Sequence, residues 1–206
     1  MQVLLDVAAG RFLEPDGWFR VVPPYGDGLE AIVAFTGHAV VATALPTSDL
    51  ASVGADGLGG AMHPAVQQLI AGPRGVIGVH DTTLVGRGLG GGRLPRRDDL
   101  ADHPRVRHAM TIRTDVQVYG DDRGLVTLGR GLAGRCELSI ELAPELQGGG
   151  HGSGLLRDGL GLLPDGEVVF AAVAPGNARS LRLFLRAGFR PIASEVIIRP
   201  GRLSTR

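Results

Sequence analysis

The segment Gln147-Gly148-Gly149-Gly150-His151-Gly152 most constrains what this chain can become. It follows Cys136–Leu142, where apolar and polar residues alternate as in a half-buried strand, and it leads into Ser153-Gly154-Leu155-Leu156, which opens a helix. A strand, a glycine turn and a helix start bring unpaired amides and the positive end of the aligned peptide dipoles to one point. Glycines in that turn keep side chains from holding an anion away from the amides, so the segment reads as a place to hold a phosphate. Glycine content alone would not say this. The chain has 33 glycines, and the glycine-rich stretch 86–92 has no such framing.

The order continues downstream. Val168–Val173 reads as a second strand, Asn177 after Pro175-Gly176 is a helix cap, and Leu181, Phe184 and Leu185 recur at helical spacing until Gly188 stops the helix before Phe189. Upstream, residues 115–119 alternate, 120–124 turn and 125–128 return, which predicts an antiparallel hairpin. The first half is less regular. Residues 31–35 and 39–43 flank Thr36-Gly37-His38 as two strands joined by a tight turn, Pro64–Ala71 reads as a short helix started by proline, and 76–79 and 82–85 read as two more strands. The stretch 93–107 mixes Arg, Asp, His and Pro without periodicity and reads as a solvated loop, or a cover over a substrate site.

Strand, Q-x-x-G-x-G, helix, strand, Asn-capped helix, Gly-Phe and strand, in that order, resemble the GNAT (Gcn5-related) N-acetyltransferase superfamily over residues 111–199. Nothing comparable is found before about residue 110. The resemblance implies an α/β (α+β) fold: a mixed, mostly antiparallel sheet flanked by helices, with two parallel strands splayed apart to form an acyl-CoA cleft. It divides the chain into a 111–206 acyl-CoA-binding core and a 1–110 α/β portion on the acceptor side. Acetyl-CoA or another acyl-CoA is the expected cosubstrate and an amine the acceptor.

The same resemblance assigns residues. The Leu142 amide would polarise the thioester carbonyl, and Ala143 with the residues up to Leu146 would follow the pantetheine arm. Gln147 opens the loop, and the amides of Gly148, Gly149, Gly150, Gly152 and Ser153 would hold the pyrophosphate. His151 reads as a solvent-facing loop residue, the alternative being a phosphate hydrogen bond. Asn177 would touch the arm or an ordered water, which is compatible with capping its helix.

Acyl transfer to an amine needs a base for the ammonium and donors for the oxyanion. The strand offers Glu137, Ser139 and Glu141 on one face, and the resemblance favours Glu137 as base with Glu141 second; both are otherwise ordinary surface carboxylates. Where many members carry a tyrosine acid for the departing thiolate, this chain has Phe184, which has no proton to give. Ser180, a water or no acid at all must then serve. The expected function is N-acyl transfer from acyl-CoA to an unidentified amine. A non-catalytic acyl-CoA-binding module and a glycine-rich structural domain are the alternatives.

Composition sets the outer limits. At 206 residues the chain can bury a real core. Its 21 basic residues, all arginine, balance 21 acidic ones, which leaves no electrostatic footprint for nucleic acid or an anionic membrane. Without lysine, no ε-amine is available for self-acylation. The single Cys136 excludes an internal disulfide and a multi-cysteine zinc site, and no metal is expected. The start, Met1-Gln2-Val3-Leu4-Leu5-Asp6, suits neither a signal peptide nor a membrane span, so a cytoplasmic protein is expected. Residues 194–199 are a candidate edge strand for a homodimer. Asp115, Gln117 and Tyr119, with the 93–107 stretch, are candidate acceptor surfaces.

Overall fold

A computed structural model describes residues 1–26 and 28–202. In chain order its elements are α1 (Gln2–Ala8), β1 (Phe19–Val22), β2 (Glu30–Phe35), β3 (His38–Ala42), α2 (Thr47–Ser52), α3 (Pro64–Ala71), β4 (Val76–Arg87) and α4 (Pro104–Ile112). There follow β5 (Thr114–Asp121), β6 (Gly124–Arg130), β7 (Cys136–Leu142), α5 (His151–Gly161), β8 (Val168–Val173), α6 (Ala178–Arg186) and β9 (Arg190–Arg199). The fold is mixed α/β, as expected.

The chain forms two compact units, one spanning Leu84–Pro191 and the other Gln2–Thr83 with the segment from Ile192 onward. The division falls at residues 83/84 and 191/192, so that β4 and β9 each begin in one unit and end in the other. In the terminal unit the strand order is β1-β3-β2-β9-β4. The hairpin at Thr36-Gly37 is as expected, with Phe35 opposite His38 and Ala31 opposite Ala42. Phe19, Ile32, Val41, Leu50, Val66 and Ile70 build its core with Val196 and Ile198 of β9. Because β9 lies between β2 and β4, residues 194–199 offer no free edge for a dimer, which corrects that expectation. The two strands expected over 76–85 are one, since the polar pair His80-Asp81 interrupts the apolar pattern but not the extended backbone.

In the Leu84–Pro191 unit the order is β4-β8-β7-β6-β5. β5, β6 and β7 pair antiparallel, with Tyr119 opposite Val126 and Val126 opposite Ile140. Alternation sorts their side chains onto two faces. Val126 and Leu138 pack with Leu155, Leu156 and Leu160 of α5, whereas Val118 and Leu125 pack with Val106 of α4. The α4 helix begins inside the stretch expected to be a loop. His103 caps it, its Nδ1 accepting from the Arg105 amide at 3.2 Å, and Pro104 occupies the first helical position, where a missing N–H costs nothing. No helix among the described residues is long and apolar enough to cross a membrane.

Candidate functional site

β7 and β8 run parallel, yet they are registered only where Glu137 meets Phe170. Beyond that root β7 continues through Ser139 to Leu142 without a partner in β8, so the two strands open like a V. A cleft of about 560 Å³ occupies the open end, within the size range of small-ligand sites. One wall is the end of β7, with Ile140, Glu141 and Leu142; the floor is Gln147, Gly148, Gly150, Gly152 and Ser153; the other wall is α6.

The floor is built by the glycine turn. Gly148 and Gly150 hold φ of 86° and 84°, a left-handed conformation that a side chain disfavours. Gly150 is the N-cap of α5 and carries no side chain to satisfy the first turn. The amides of Gly148, Gly150, His151 and Gly152 therefore donate to no group among the described residues. Gly152 serves packing as well: a Cβ there would stand 3.0 Å from a Leu183 methyl and 3.5 Å from one of Leu142. Farther along α5, a Cβ at Gly159 would meet both Val126 methyls at 3.1 Å. These close approaches lay α5 directly on β6 and β7 and fix where its N-terminus points.

α6 supplies the charge. Asn177 caps it, its Oδ1 accepting from the Ser180 amide at 3.1 Å. Leu181 and Phe184 turn toward the core, while Leu185, expected on the same stripe, stays 42% exposed. Arg179, Arg182 and Arg186 line the cleft, and none forms an ion pair among the described residues. Opposite them Arg105 of α4 reaches in and donates through Nη2 to the Ile140 carbonyl at 3.3 Å. The only carboxylate on the lining is Glu141, which is exposed and ion-paired to nothing among the described residues. The cleft thus presents arginines and free amides to a polyanion, with one acid at the mouth of the V.

The residues singled out from sequence divide accordingly. Glu141, Leu142, Gln147, Gly148, Gly150, Gly152, Ser153 and Asn177 meet at the cleft, whereas Ala143, Gly149 and His151 belong to the turn without lining it. Glu137 does not reach the cleft. It lies at the root of the V, 2% exposed, with its Oε1 accepting from Arg135 Nε at 2.7 Å and from the Leu132 amide at 3.3 Å. Its Oε2 stands 2.7 Å from Arg113 Nε, an ion pair at an angle poor for a hydrogen bond. Burial acts to raise this carboxyl's pKa, but Arg135 and then Arg113 outweigh it and hold it below the ordinary carboxylate range. A base so committed has neither access nor affinity for a proton.

Phe184 is likewise a core residue, 3% exposed and edge-on to Phe189 with ring centroids 4.9 Å apart. Asp115, Gln117 and Tyr119 stand elsewhere: Tyr119 donates to Gln117 Oε1 at 2.6 Å, and Asp115, with φ of 52°, marks a bulge in β5. None of them lines the cleft. The sequence reading missed Arg179, Arg182 and Arg186, and of the 93–107 stretch, expected as a loop at an acceptor surface, it missed the helix that brings Arg105 to the lining. The i, i+3, i+7 spacing of the three α6 arginines is visible in the sequence, and His103-Pro104 ahead of Val106 and Ala109 was the available signal for the helix that carries Arg105. Among the described residues no three His, Cys, Asp or Glu side chains cluster to hold a metal ion.

No family model matches this sequence, and no curated protein matches it. Among solved structures the chain is similar to a candidate acetyltransferase of the GNAT family from Novosphingobium aromaticivorans, with a TM-score of 0.44, 18% identity, and coverage of 63% of this chain and 69% of that one. It is also similar to a conserved protein of unknown function from Staphylococcus epidermidis, with a TM-score of 0.41, 15% identity and 68% of each chain covered.

Proposed function

We propose that the protein is an N-acyltransferase that moves an acyl group from acyl-CoA to an amine. One observation carries this reading: the splay of β7 from β8 opens onto a helix N-terminus whose His151 and Gly152 amides have no partner among the described residues, flanked by the arginines of α6. The amides of Gly148, Gly150 and Gly152, with Ser153, take the pyrophosphate, and the α6 arginines complement the remaining phosphate charge. The order of motifs on which the resemblance to GNAT enzymes was drawn coincides with these elements, and that resemblance supplies the identity of the ligand.

In the reaction, the amide of Leu142 polarises the thioester carbonyl. Glu141 takes a proton from the acceptor ammonium, directly or through water, and replaces Glu137 as the base because it alone among the carboxylates of the described residues lines the cleft. The amine nitrogen bonds to the carbonyl carbon and releases its second N–H proton to solvent, the C–S bond breaks, and the thiolate takes up a proton from Ser180 or solvent. Asn177 orients the pantetheine arm. Phe184, closed into the core, plays no part.

Phe184 favours a second reading, an acyl-CoA-binding module without turnover, since no acid stands where many family members place one. Calorimetric titration with acetyl-CoA, followed by an amine screen for thiol release, separates the two. Saturable binding with Glu141→Gln lowering turnover by about 10²-fold or more is expected of the enzyme. Binding without turnover of any amine supports the module, and no binding of acetyl-CoA or CoA removes both. Gly150→Glu, which sets a carboxylate against the pyrophosphate, abolishes binding if the turn is the site.

A further inference from the structure

The arginines of the cleft fall into two groups. Arg179, Arg182 and Arg186 belong to α6 beside the glycine turn, where phosphate charge accounts for them. Arg105 does not fit that account. It comes from α4, on the other face of the sheet, and contacts the carbonyl of Ile140, the residue next to Glu141 at the open end of the V. Glu141 shares the α4 face with Ser139 and Glu137 by the alternation of β7. The mouth of the cleft is thus bordered by a guanidinium and a carboxylate, one of each sign, on the same face.

Among the described residues that line the cleft, Glu141 is the one acid beside four arginines. Behind Arg105, Arg113 and Arg135 share the single carboxylate of Glu137. Partial burial, then Arg105 and Arg113, lower the pKa of His108 on the same helix, which removes its charge rather than adding an anion. A ligand group that meets Arg105 therefore gains by being negative, whereas one that meets Glu141 gains by being positive.

We propose that the acceptor is an amino acid or another small amine bearing a carboxylate, whose carboxylate binds Arg105 while its ammonium faces Glu141. This rests on the acyltransferase reading above and names its substrate class. A guanidinium fork matches a carboxylate in two parallel hydrogen bonds, which fixes orientation as well as charge. The ammonium loses a proton to Glu141, its nitrogen forms the amide bond as the thioester C–S bond breaks, the second N–H proton is released, and the thiolate takes up one proton. The same guanidinium would also suit a carboxylate at the far end of a dicarboxylic acyl chain, but Glu141 beside it would repel such a chain and has no ammonium to receive. The zwitterion satisfies both groups.

The test uses the full chain with acetyl-CoA and reads thiol release for each of the standard L-amino acids against its own carboxamide. The best amino acid should exceed its carboxamide by about tenfold or more in kcat/KM, the usual scale for losing a charged hydrogen bond. Arg105→Gln should collapse that ratio toward one through KM, with Arg105→Lys recovering part of it and acetyl-CoA affinity unchanged in both. Equal use of acid and amide, or a ratio that survives Arg105→Gln, overturns the proposal while leaving acyl transfer in place. So does an Arg105-dependent preference for succinyl-CoA over acetyl-CoA, which assigns the guanidinium to the acyl chain. Turnover of amines that lack a carboxylate, but of no amine that bears one, overturns it as well. Failure of acetyl-CoA to bind at all is a distinct result, because it removes the acyltransferase reading itself.

Discussion

Glu137 and Glu141 stand one helical turn's worth of sequence apart on the same face of β7, yet they occupy opposite ends of the V. At the root, where β7 still pairs with β8, Glu137 is closed between Arg113 and Arg135, and Arg135 in turn lies over the Phe170 ring at 5.4 Å. At the mouth, where β8 has diverged, Glu141 is exposed and lines the cleft. Identical chemistry is turned into a structural clamp in one place and a free carboxylate in the other by strand pairing at the root together with the arginines that flank it there. The lesson is that the splay sets the boundary between framework and site, and that residue type on this strand does not.

The largest effect separating the two ends should come from Glu137→Gln. Removing the charge takes away the carboxylate that two buried guanidiniums share, which costs roughly 3–5 kcal/mol, as for other broken buried pairs. Denaturant unfolding checks it, and acetyl-CoA affinity measured on the fraction still folded should not change. A loss of turnover without loss of stability would break the comparison and return Glu137 to the mechanism.

Acid should act on the root in the same sense. Because Glu137 titrates below its unfolded value of about 4.3, the folded state binds fewer protons, and its contribution is present at neutral pH and lost as pH falls through the depressed value. Glu30, held below its ordinary range against its own burial by Arg202, Thr43 and the Ala44 amide, acts in the same direction, so acid unfolding of the wild type has more than one source. The part due to Glu137 is the difference between the wild type and Glu137→Gln, which should shrink as pH drops below about 4. A difference that stays constant down to acid unfolding would mean that the carboxylate is not held ionised.

A third effect lies beside the cleft. Phe184→Tyr puts a hydroxyl into a core position, and an unsatisfied buried hydroxyl costs about 1–3 kcal/mol. Thermal unfolding should register that loss, and turnover should not rise, because the ring packs against Phe189. A faster enzyme at unchanged stability would show that the hydroxyl reaches the thiolate.

The pattern of what was legible follows the same boundary. The strand, turn, helix and strand from Cys136 to Val173 were readable because alternation, a glycine turn and a cap each signal locally, and Asn177 capped its helix as expected. The α3 and α4 helices begin alike, with His63-Pro64 and His103-Pro104, each histidine accepting from the amide two residues on. Only the first was recognised, because Ala, Val, Leu and Ile follow it, whereas Arg105, Arg107 and His108 hide the Val106 and Ala109 stripe of the second. Missing α4 left the 93–107 stretch an irregular surface, with no helix to carry Arg105 to the cleft. The assignment of Glu137 went astray for a non-local reason: which carboxylate of β7 is sealed depends on Arg113 at the end of α4, and no spacing along β7 records that.

The smallest expected effect is the counterpart of the first. Glu141→Gln should change stability by no more than about 0.5 kcal/mol, the usual range for an exposed position without a partner. Read by the same denaturant unfolding that reports Glu137→Gln, the pair of variants sets a near-zero against a large loss for the same substitution on the same strand. Turnover should reverse the ranking, with Glu141→Gln impaired in a protein as stable as the wild type. A substantial stability loss at Glu141 would mean that the mouth of the V is tied by a contact as the root is, and the carboxylate would then not be available to receive a proton.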